Sequence, residues 1–455
     1  MISLLIKMLK HNFLIISILF FIACDSDKTT ILSGKIVKPT NNKIQLLKDE
    51  VLVNEILIDE DGTFKSLIDI DKNGLFNFFH PPEFQYLIIN KGDSLVLRLN
   101  SLDFDESLIF SGKGSAKNNY LINVFLKHEQ EEEYLRKRYS SSNIRFKTII
   151  DSLFNIKTAD FKNFKTKIKL DKTSELIIDN AISLPLLSHI ENYILINKNN
   201  HDYNINFFSN YRKFSDYNIN ELSHFKPYLD YIIVKSINES FELNSEFDYS
   251  VNFNIKRLEY INDLITNDVI KNKLLRFIAY EYLLEEKLLI NIDTFINFFE
   301  KISTNLNTNI EINELYDNLA ALQIGKLIPD LELMERNGSV KRIRNINNSK
   351  NVYLFWSYDQ NAHQVNLFKK VNSLSIKHLD FNFYLININD DYNKWIFNLI
   401  NQFPQQNVKN FKSVDFENMS KKMVLNNLNK VITTNMGVIS NVLSITELEE
   451  FLETN

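Results

Sequence analysis

The rhythm of apolar and polar positions changes twice along the 455-residue chain. From 31 to 114, apolar residues come in short β-type runs such as Val51-Leu-Val-Asn-Glu-Ile-Leu-Ile58 and Tyr86-Leu-Ile-Ile89. Leu95, Leu97 and Leu99 alternate with Val96, Arg98 and Asn100. A period of two sends one face of a strand into a core. Asp61-Gly62 and Lys91-Gly92-Asp93 are turn signals between such runs. The pattern predicts a small antiparallel β domain over 31–114, preceded by a short tether at 24–30.

From 115 to 323 the period becomes helical. Leu176, Ile177, Asn180, Ala181 and Leu184 trace one face. Leu222, Phe225, Leu229, Ile232 and Ile233 trace a second, and Leu274, Leu275, Ile278 and Tyr282 a third. The stretch has no Gly and only two Pro, Pro185 and Pro227. Pro185 is expected to start, kink or break a helix. A bundle of about seven to nine helices is expected.

From 324 to 455 the pattern mixes both periods. Val352-Tyr-Leu-Phe-Trp356 is a continuous apolar run, as in a strand covered on both faces. Val365, Phe368, Val371, Asn372 and Ser375 share a helical face, and Phe381 to Ile388 reads as a strand. Asp390 to Gln402 suits a helix with an acidic cap. Val431–Thr434 and Val438–Ser440 form a hairpin across Asn435-Met436-Gly437. Thr446-Glu-Leu-Glu449 reads as a capping box for a last helix. The predicted order is β-α-β-α-β-β-α, and the chain as a whole reads as a multidomain α+β protein.

Composition narrows the function classes. The formal charge of −5 gives no basic excess, so no nucleic-acid partner is expected. The single cysteine, Cys24, leaves no partner for an intrachain disulfide, a CxxC centre or a Cys-rich zinc site. No cofactor and no metal are expected. Asp69-Ile-Asp71-Lys-Asn73-Gly74 opens like an EF-hand loop, but the twelfth position is His80 and the flanks are β-like, so an Asx-rich turn is the better reading. Glu132 and Arg136, and Glu133 and Lys137, stand four apart, as on a solvated helix face. No HxxxH, GxSxG, P-loop or GxGxxG motif occurs.

Location is read from the N-terminus. Lys7, Lys10 and His11 precede an unbroken apolar run from Phe13 to Ala23, which reads as a signal peptide over 1–23. Phe21-Ile22-Ala23-Cys24 follows the pattern of a bacterial lipobox, with Phe21 where Leu is commonest. Cys24 is then the lipidation site. The expected location is the cell envelope, with the chain held to a membrane by its lipid.

Gly325-Lys-Leu-Ile-Pro329-Asp330-Leu-Glu-Leu with Asn337-Gly338, and Phe355-Trp356-Ser357, resemble the entry and first central strand of the TlpA/ResA-like thiol–disulfide oxidoreductases. Gly92-Asp93-Ser94 and Phe110-Ser-Gly112…Asn118-Asn-Tyr-Leu121 resemble the β domain found ahead of such modules in Bacteroidota lipoproteins. The resemblance implies three domains after the anchor: β over 31–114, helical over 115–323, thioredoxin-like α/β over 324–455. It also implies what has been lost. The two thiols of the family's CxxC map onto Gln360 and His363, and its cis-proline onto Asn429. A non-proline cis bond costs about 2.5–4 kcal/mol, so a trans bond is expected there. Without a thiolate there is no mixed disulfide. The implied function is a redox-inactive, envelope-anchored scaffold that binds a protein or peptide, with Trp356, Tyr358, Asp359 and Asn429 around the groove. The alternative is an enzyme with non-thiol chemistry, using His363 and Asp359. Against it stands the bland reading of His363 as an exposed polar residue in an abandoned site.

The anchor has a direct test. Cys24→Ser should release the protein from membranes or leave it unprocessed, as read by fractionation and intact mass. A membrane-bound variant of mature length would remove the lipid from the picture.

Overall fold

The computed structural model describes residues 29–199, 204–213, 216–241, 250–285, 292–346, 349–399 and 406–454. Cys24, the segment 1–23 and His201-Asp202 lie outside the described residues. The described chain is mixed α/β with three sheets. It divides into two compact units, Met1–Leu275 and Arg276–Asn455.

The first unit opens with eight strands: β1 (Thr30–Val37), β2 (Lys43–Lys48), β3 (Val51–Leu57), β4 (Thr63–Ile68), β5 (Gly74–His80), β6 (Glu83–Ile89), β7 (Ser94–Asn100) and β8 (Ile109–Lys113). They form two four-stranded sheets in the orders β4-β1-β7-β8 and β3-β2-β5-β6. Leu32, Ile36, Phe64, Leu95 and Leu97 of one sheet share a core with Ile44, Leu46, Phe76, Phe78 and Leu87 of the other. The domain is not wholly antiparallel, which corrects the sequence expectation. β1 and β7 run parallel, with Ile31 opposite Ser94 and Val37 opposite Asn100. A parallel pair needs a long crossover, and here the whole second sheet lies between the two strands in sequence. They approach so closely that a Cβ on Gly34 would sit 2.1 Å from the Leu97 carbonyl oxygen.

His80 is a structural residue. It is 1% exposed, its Nδ1 is 3.1 Å from the Lys43 carbonyl oxygen, and its Nε2 accepts from the Thr40 amide at 3.1 Å. This packing fits the Asx-turn reading of 69–74 better than a calcium loop.

After α1 (Phe104–Ser107), the helix α2 (Ser115–Arg136) closes the side of the sandwich. Asn118 accepts from the Ile88 amide at 2.8 Å and donates to the Ile88 carbonyl at 2.9 Å. Asn119 does the same with Phe110, at 2.8 and 2.9 Å. Ile88 lies on β6 and Phe110 on β8, the edge strands of the two sheets. Lys117 completes the lock with a buried ion pair to Asp93 at 2.7 Å. Asp93 also accepts from the Asn90 amide, and Asn90 donates to Asp171, the N-cap of α4. Gly114 precedes α2 with φ +92, and a Cβ there would lie 2.6 Å from the Asp93 carboxylate. Glycine is required on both counts.

The helices of the first unit continue with α3 (Asn143–Lys167), α4 (Lys172–Asn197), α5 (Lys226–Ser240) and α6 (Val251–Leu264); α7 (Asp268–Glu285) runs across the boundary, and α8 (Ile292–Ile302) and α9 (Leu306–Ala321) belong to the second unit. Pro185 lies inside α4, which continues past it for twelve residues, to Asn197. The Glu132–Arg136 and Glu133–Lys137 pairs form at 2.7 and 2.5 Å, all four side chains well solvated. Within the first unit the tip of the β2–β3 hairpin meets the helices. Asp49 is 3.1 Å from His224, and Tyr86 packs edge-on against Phe225 at 5.2 Å.

The second unit is built on one seven-stranded sheet, in the order β10-β9-β13-β12-β11-β14-β15. Its strands are β9 (Glu332–Met334), β10 (Val340–Arg342), β11 (Lys350–Trp356), β12 (Phe381–Asn387), β13 (Val408–Ser413), β14 (Lys430–Asn435) and β15 (Val438–Ser444). The helices α10 (Asn361–Lys377), α11 (Tyr392–Asn398), α12 (Phe416–Lys422) and α13 (Leu448–Thr454) connect or follow them. β11, β12 and β13 are parallel, while β14 and β15 return antiparallel. A βαβ unit followed by an antiparallel hairpin on the first central strand is a thioredoxin-like arrangement. Alternation along β11 serves two cores. Val352, Leu354 and Trp356 pack with α10 and α13, whereas Tyr353 and Phe355 pack with α12.

The predicted order lacked β9, β10, β13 and α12. The last two insert between the predicted second helix and the final hairpin. The α11 helix starts after Asp391, whose carboxylate accepts from the Lys394 amide. In the turn ahead of α13 the Glu447 carboxylate accepts from both the amide and the hydroxyl of Ser444 at 2.8 Å, and the helix itself starts at Leu448, after the expected Thr446.

Asn118→Ala should cost the first unit about 2–5 kcal/mol, because it strands a buried N–H and C=O of Ile88. Urea unfolding followed by circular dichroism measures it. A loss no larger than that of an exposed asparagine would mean the β6 edge does not depend on α2.

Candidate functional site

The sheet geometry places the end of β11, the start of α10 and the loop before β14 side by side. β11 pairs with β14, Leu354 opposite Val431, so the loop through Leu428 and Asn429 enters beside the C-terminal end of β11. Open α/β sheets present ligands at this end of their strands.

Trp356 is the last residue of β11. It is fully buried and packs edge-on against Phe368 of α10 at 4.9 Å. It belongs to the core and does not border an open groove, which corrects the sequence expectation. The alternation of β11 turns it to the α10 side together with Val352 and Leu354. Its indole nitrogen is buried with no hydrogen-bond partner among the described residues.

Tyr358 is half-buried and carries the Lys394 ammonium over its ring at 4.1 Å. Asp359 is exposed. Its carboxylate accepts from Asn389 Nδ2 at 2.6 Å and pairs with Lys394 at 3.1 Å. Asp359 thus faces α11 and its preceding loop. Gln360 is the N-cap of α10, exposed, and its side chain makes no capping bond.

His363 lies in the first turn of α10 and is half-buried, not exposed. Both ring nitrogens are buried and neither makes a regular hydrogen bond among the described residues. Burial holds the imidazole below the ordinary histidine value of 6.5, against the Leu428 carbonyl, which favours the charged form. The structure therefore brings His363 to the loop ahead of Asn429 and leaves Asp359 elsewhere. No carboxylate contributes to the pKa of His363. Among the described residues the cis peptide is Pro81–Pro82, so the bond before Asn429 is trans. Asn429 is exposed, and its carbonyl accepts from the Ile445 amide at 2.8 Å.

One further group adjoins this loop in sequence, and the sequence did not point to it. Lys430, next to Asn429, donates to the Val424 carbonyl at 3.0 Å, and burial pulls its ammonium down to about 8. Val424 itself has φ +46, a left-handed conformation costly for a β-branched residue. Lysines are so common in this chain that nothing but the fold separates this one.

The site as built offers a neutral imidazole and an exposed asparagine loop, whereas the Lys430 amine lies on the other face of β14, beside Val424. It contains no sulfur. No metal-holding group of His, Cys, Asp and Glu occurs among the described residues.

No family model and no curated protein matches the chain. Solved structures do resemble it. The thioredoxin domain of a thiol–disulfide oxidoreductase from Bacteroides vulgatus is similar at 15% identity over 29% of this chain and 97% of that one, with a TM-score of 0.25. A thioredoxin-like protein from Bacteroides caccae is similar at 14% identity over 50% of this chain and 83% of that one, with a TM-score of 0.34. A conserved protein of unknown function from Bacteroides fragilis is similar at 10% identity over 29% of this chain and 98% of that one, with a TM-score of 0.25. The thioredoxin-like character of the second unit is carried by its strand order and directions.

His363→Leu should leave the chain within about 1 kcal/mol of its stability at neutral pH, since neither ring nitrogen loses a bond. The folded pKa is depressed, so the unfolded state takes the proton first. Native stability is then full above 6.5 and falls as the pH drops through that value. Leucine does not titrate, so the variant should gain on the native protein below pH 6.5 in urea unfolding. Parallel pH profiles would mean the imidazole is not desolvated.

Proposed function

We propose that the protein is a lipid-anchored envelope protein whose thioredoxin-like unit binds a protein or peptide without thiol chemistry. One observation carries this reading. The start of α10, onto which the sequence resemblance maps the two thiols of a CxxC, has Gln360 and His363, and the chain's one cysteine is Cys24. Thiol–disulfide exchange needs a thiolate to attack and a second sulfur to resolve the mixed disulfide. A site without sulfur keeps only its shape. The rim at Tyr358 and Asn429 offers a half-buried ring and an exposed polar loop.

The non-thiol enzyme reading needs a group to orient and charge His363. Asp359, the candidate, is engaged by Asn389 and Lys394. That engagement favours binding over catalysis.

A photo-crosslinker at Tyr358 of the anchored full chain should capture a discrete partner, while one at exposed Lys91 should not. The purified native chain should not reduce insulin. In a Cys24→Ser background, Gln360→Cys with His363→Cys should form an internal disulfide on mild oxidation, read by mass after alkylation. Insulin reduction by the native chain, or equal capture at both positions, would sink the binding reading. Failure of the two cysteines to pair would mean that these positions do not face each other.

A further inference from the structure

The two sheets of the first unit differ in what covers them. β5 and β6 of the second sheet are buried at nearly every position, because its outer face meets the helices. β1, β4 and β7 of the first sheet alternate between buried and open positions. Among the described residues of the unit, nothing covers the outer face of this sheet.

The residues on that face are unusual for a chain of net charge −5. Register sets Lys65, Ser33 and Val96 in one row and Lys35, Arg98 and Ile109 in the next. Lys113 stands beside Ser94 at the end where the chain enters the sheet. Lys35, Lys65, Arg98 and Lys113 are all exposed, and none is in an ion pair among the described residues. Leu67, Val96 and Ile109 are interleaved with them at 63%, 44% and 59% exposure. A shallow depression of about 680 Å³ runs between the β1, β4 and β7 side chains. Two carboxylates offset these cations in part: Asp59 lines the same depression, and Asp61, held low mainly by its bonds to Thr63, also feels Lys35, while Asp69 lies just beyond the end of β4.

We infer that this face rests on an anionic lipid bilayer. The inference builds on the lipid anchor of the proposed function. Cys24 precedes Thr30, the first residue of β1, by six residues, a reach of at most about 20 Å. A lipid at Cys24 thus confines the entry edge of this sheet to the membrane surface. Cations meet headgroup phosphates there, and the apolar side chains between them enter the interfacial layer. A second copy of the chain is disfavoured, since apposing two such faces sets like charges together.

The test is lysine footprinting of the full anchored chain with a membrane-impermeant acylating reagent. It compares neutral phosphatidylcholine vesicles, vesicles with one third phosphatidylglycerol, and detergent. Lys35, Lys65 and Lys113 should be protected on the anionic vesicles alone. Lys43, exposed on the other sheet, should react equally in all three. Charge reversal of Lys35, Lys65 and Arg98 to Glu should abolish the protection of Lys113, with the weakening of the contact at least roughly fivefold per cation. Equal labelling on vesicles to which the chain still floats would overturn the docked face and leave the anchor standing. Failure of the native chain to float with any vesicle would overturn both. Protection that persists in detergent would assign the face to a second copy and overturn the lipid reading.

Discussion

Two adjacent side-chain amides, Asn118 and Asn119, hold the open edges of both sheets at once. A sheet edge presents N–H and C=O groups that must be paired once water is excluded. An asparagine amide carries the same donor and acceptor as a peptide group, so each residue acts as one residue of an extra strand. Lys117, immediately before them, fixes the helix by its ion pair to Asp93. Burial lowers the lysine's pKa despite that partner. The pair therefore supplies position more than energy. From this point the network reaches Asn90 and the cap of α4, so the sandwich and the helices behind it share one polar spine.

The sequence carried much of this fold in its periodicity. The alternation at Leu95–Leu99 and the apolar run at Val352–Trp356 are strands because burial on one face or on two leaves different patterns. The Asn118-Asn-Tyr-Leu121 run was legible as a motif, yet only the structure shows why it is built so. Asn118 and Asn119 pair with edges, Tyr120 stacks on Phe164 at 4.2 Å, and Leu121 is buried. β13 escaped because Val408-Lys-Asn-Phe-Lys-Ser413 reads as polar. The structure buries Lys412 within it and satisfies its ammonium on the Ser413 carbonyl. The parallel pairing of β1 and β7 has no local signature, since it joins strands more than fifty residues apart.

The candidate site shows the same division. Gln360 and His363 follow from counting on from Trp356 and Asn429 from its place just before the Val431 strand, and the fold brings His363 to the loop before Asn429. What counting could not supply is burial. Trp356 moved from rim to core because strand alternation decides its side. Asp359 moved from His363 to Lys394 because it faces the loop before α11. Lys430 emerged only from its surroundings. The chemistry left at this place is an imidazole less charged than its sequence identity implies.

The clamp on the two sheets also imposes an order of events. A chain made from its N-terminus completes all eight strands before Asn118 and Asn119 emerge. Until they do, β6 and β8 display unpaired backbone to anything extended that passes. The sandwich is thus finished by residues it does not contain, and its survival depends on how quickly the helix follows it.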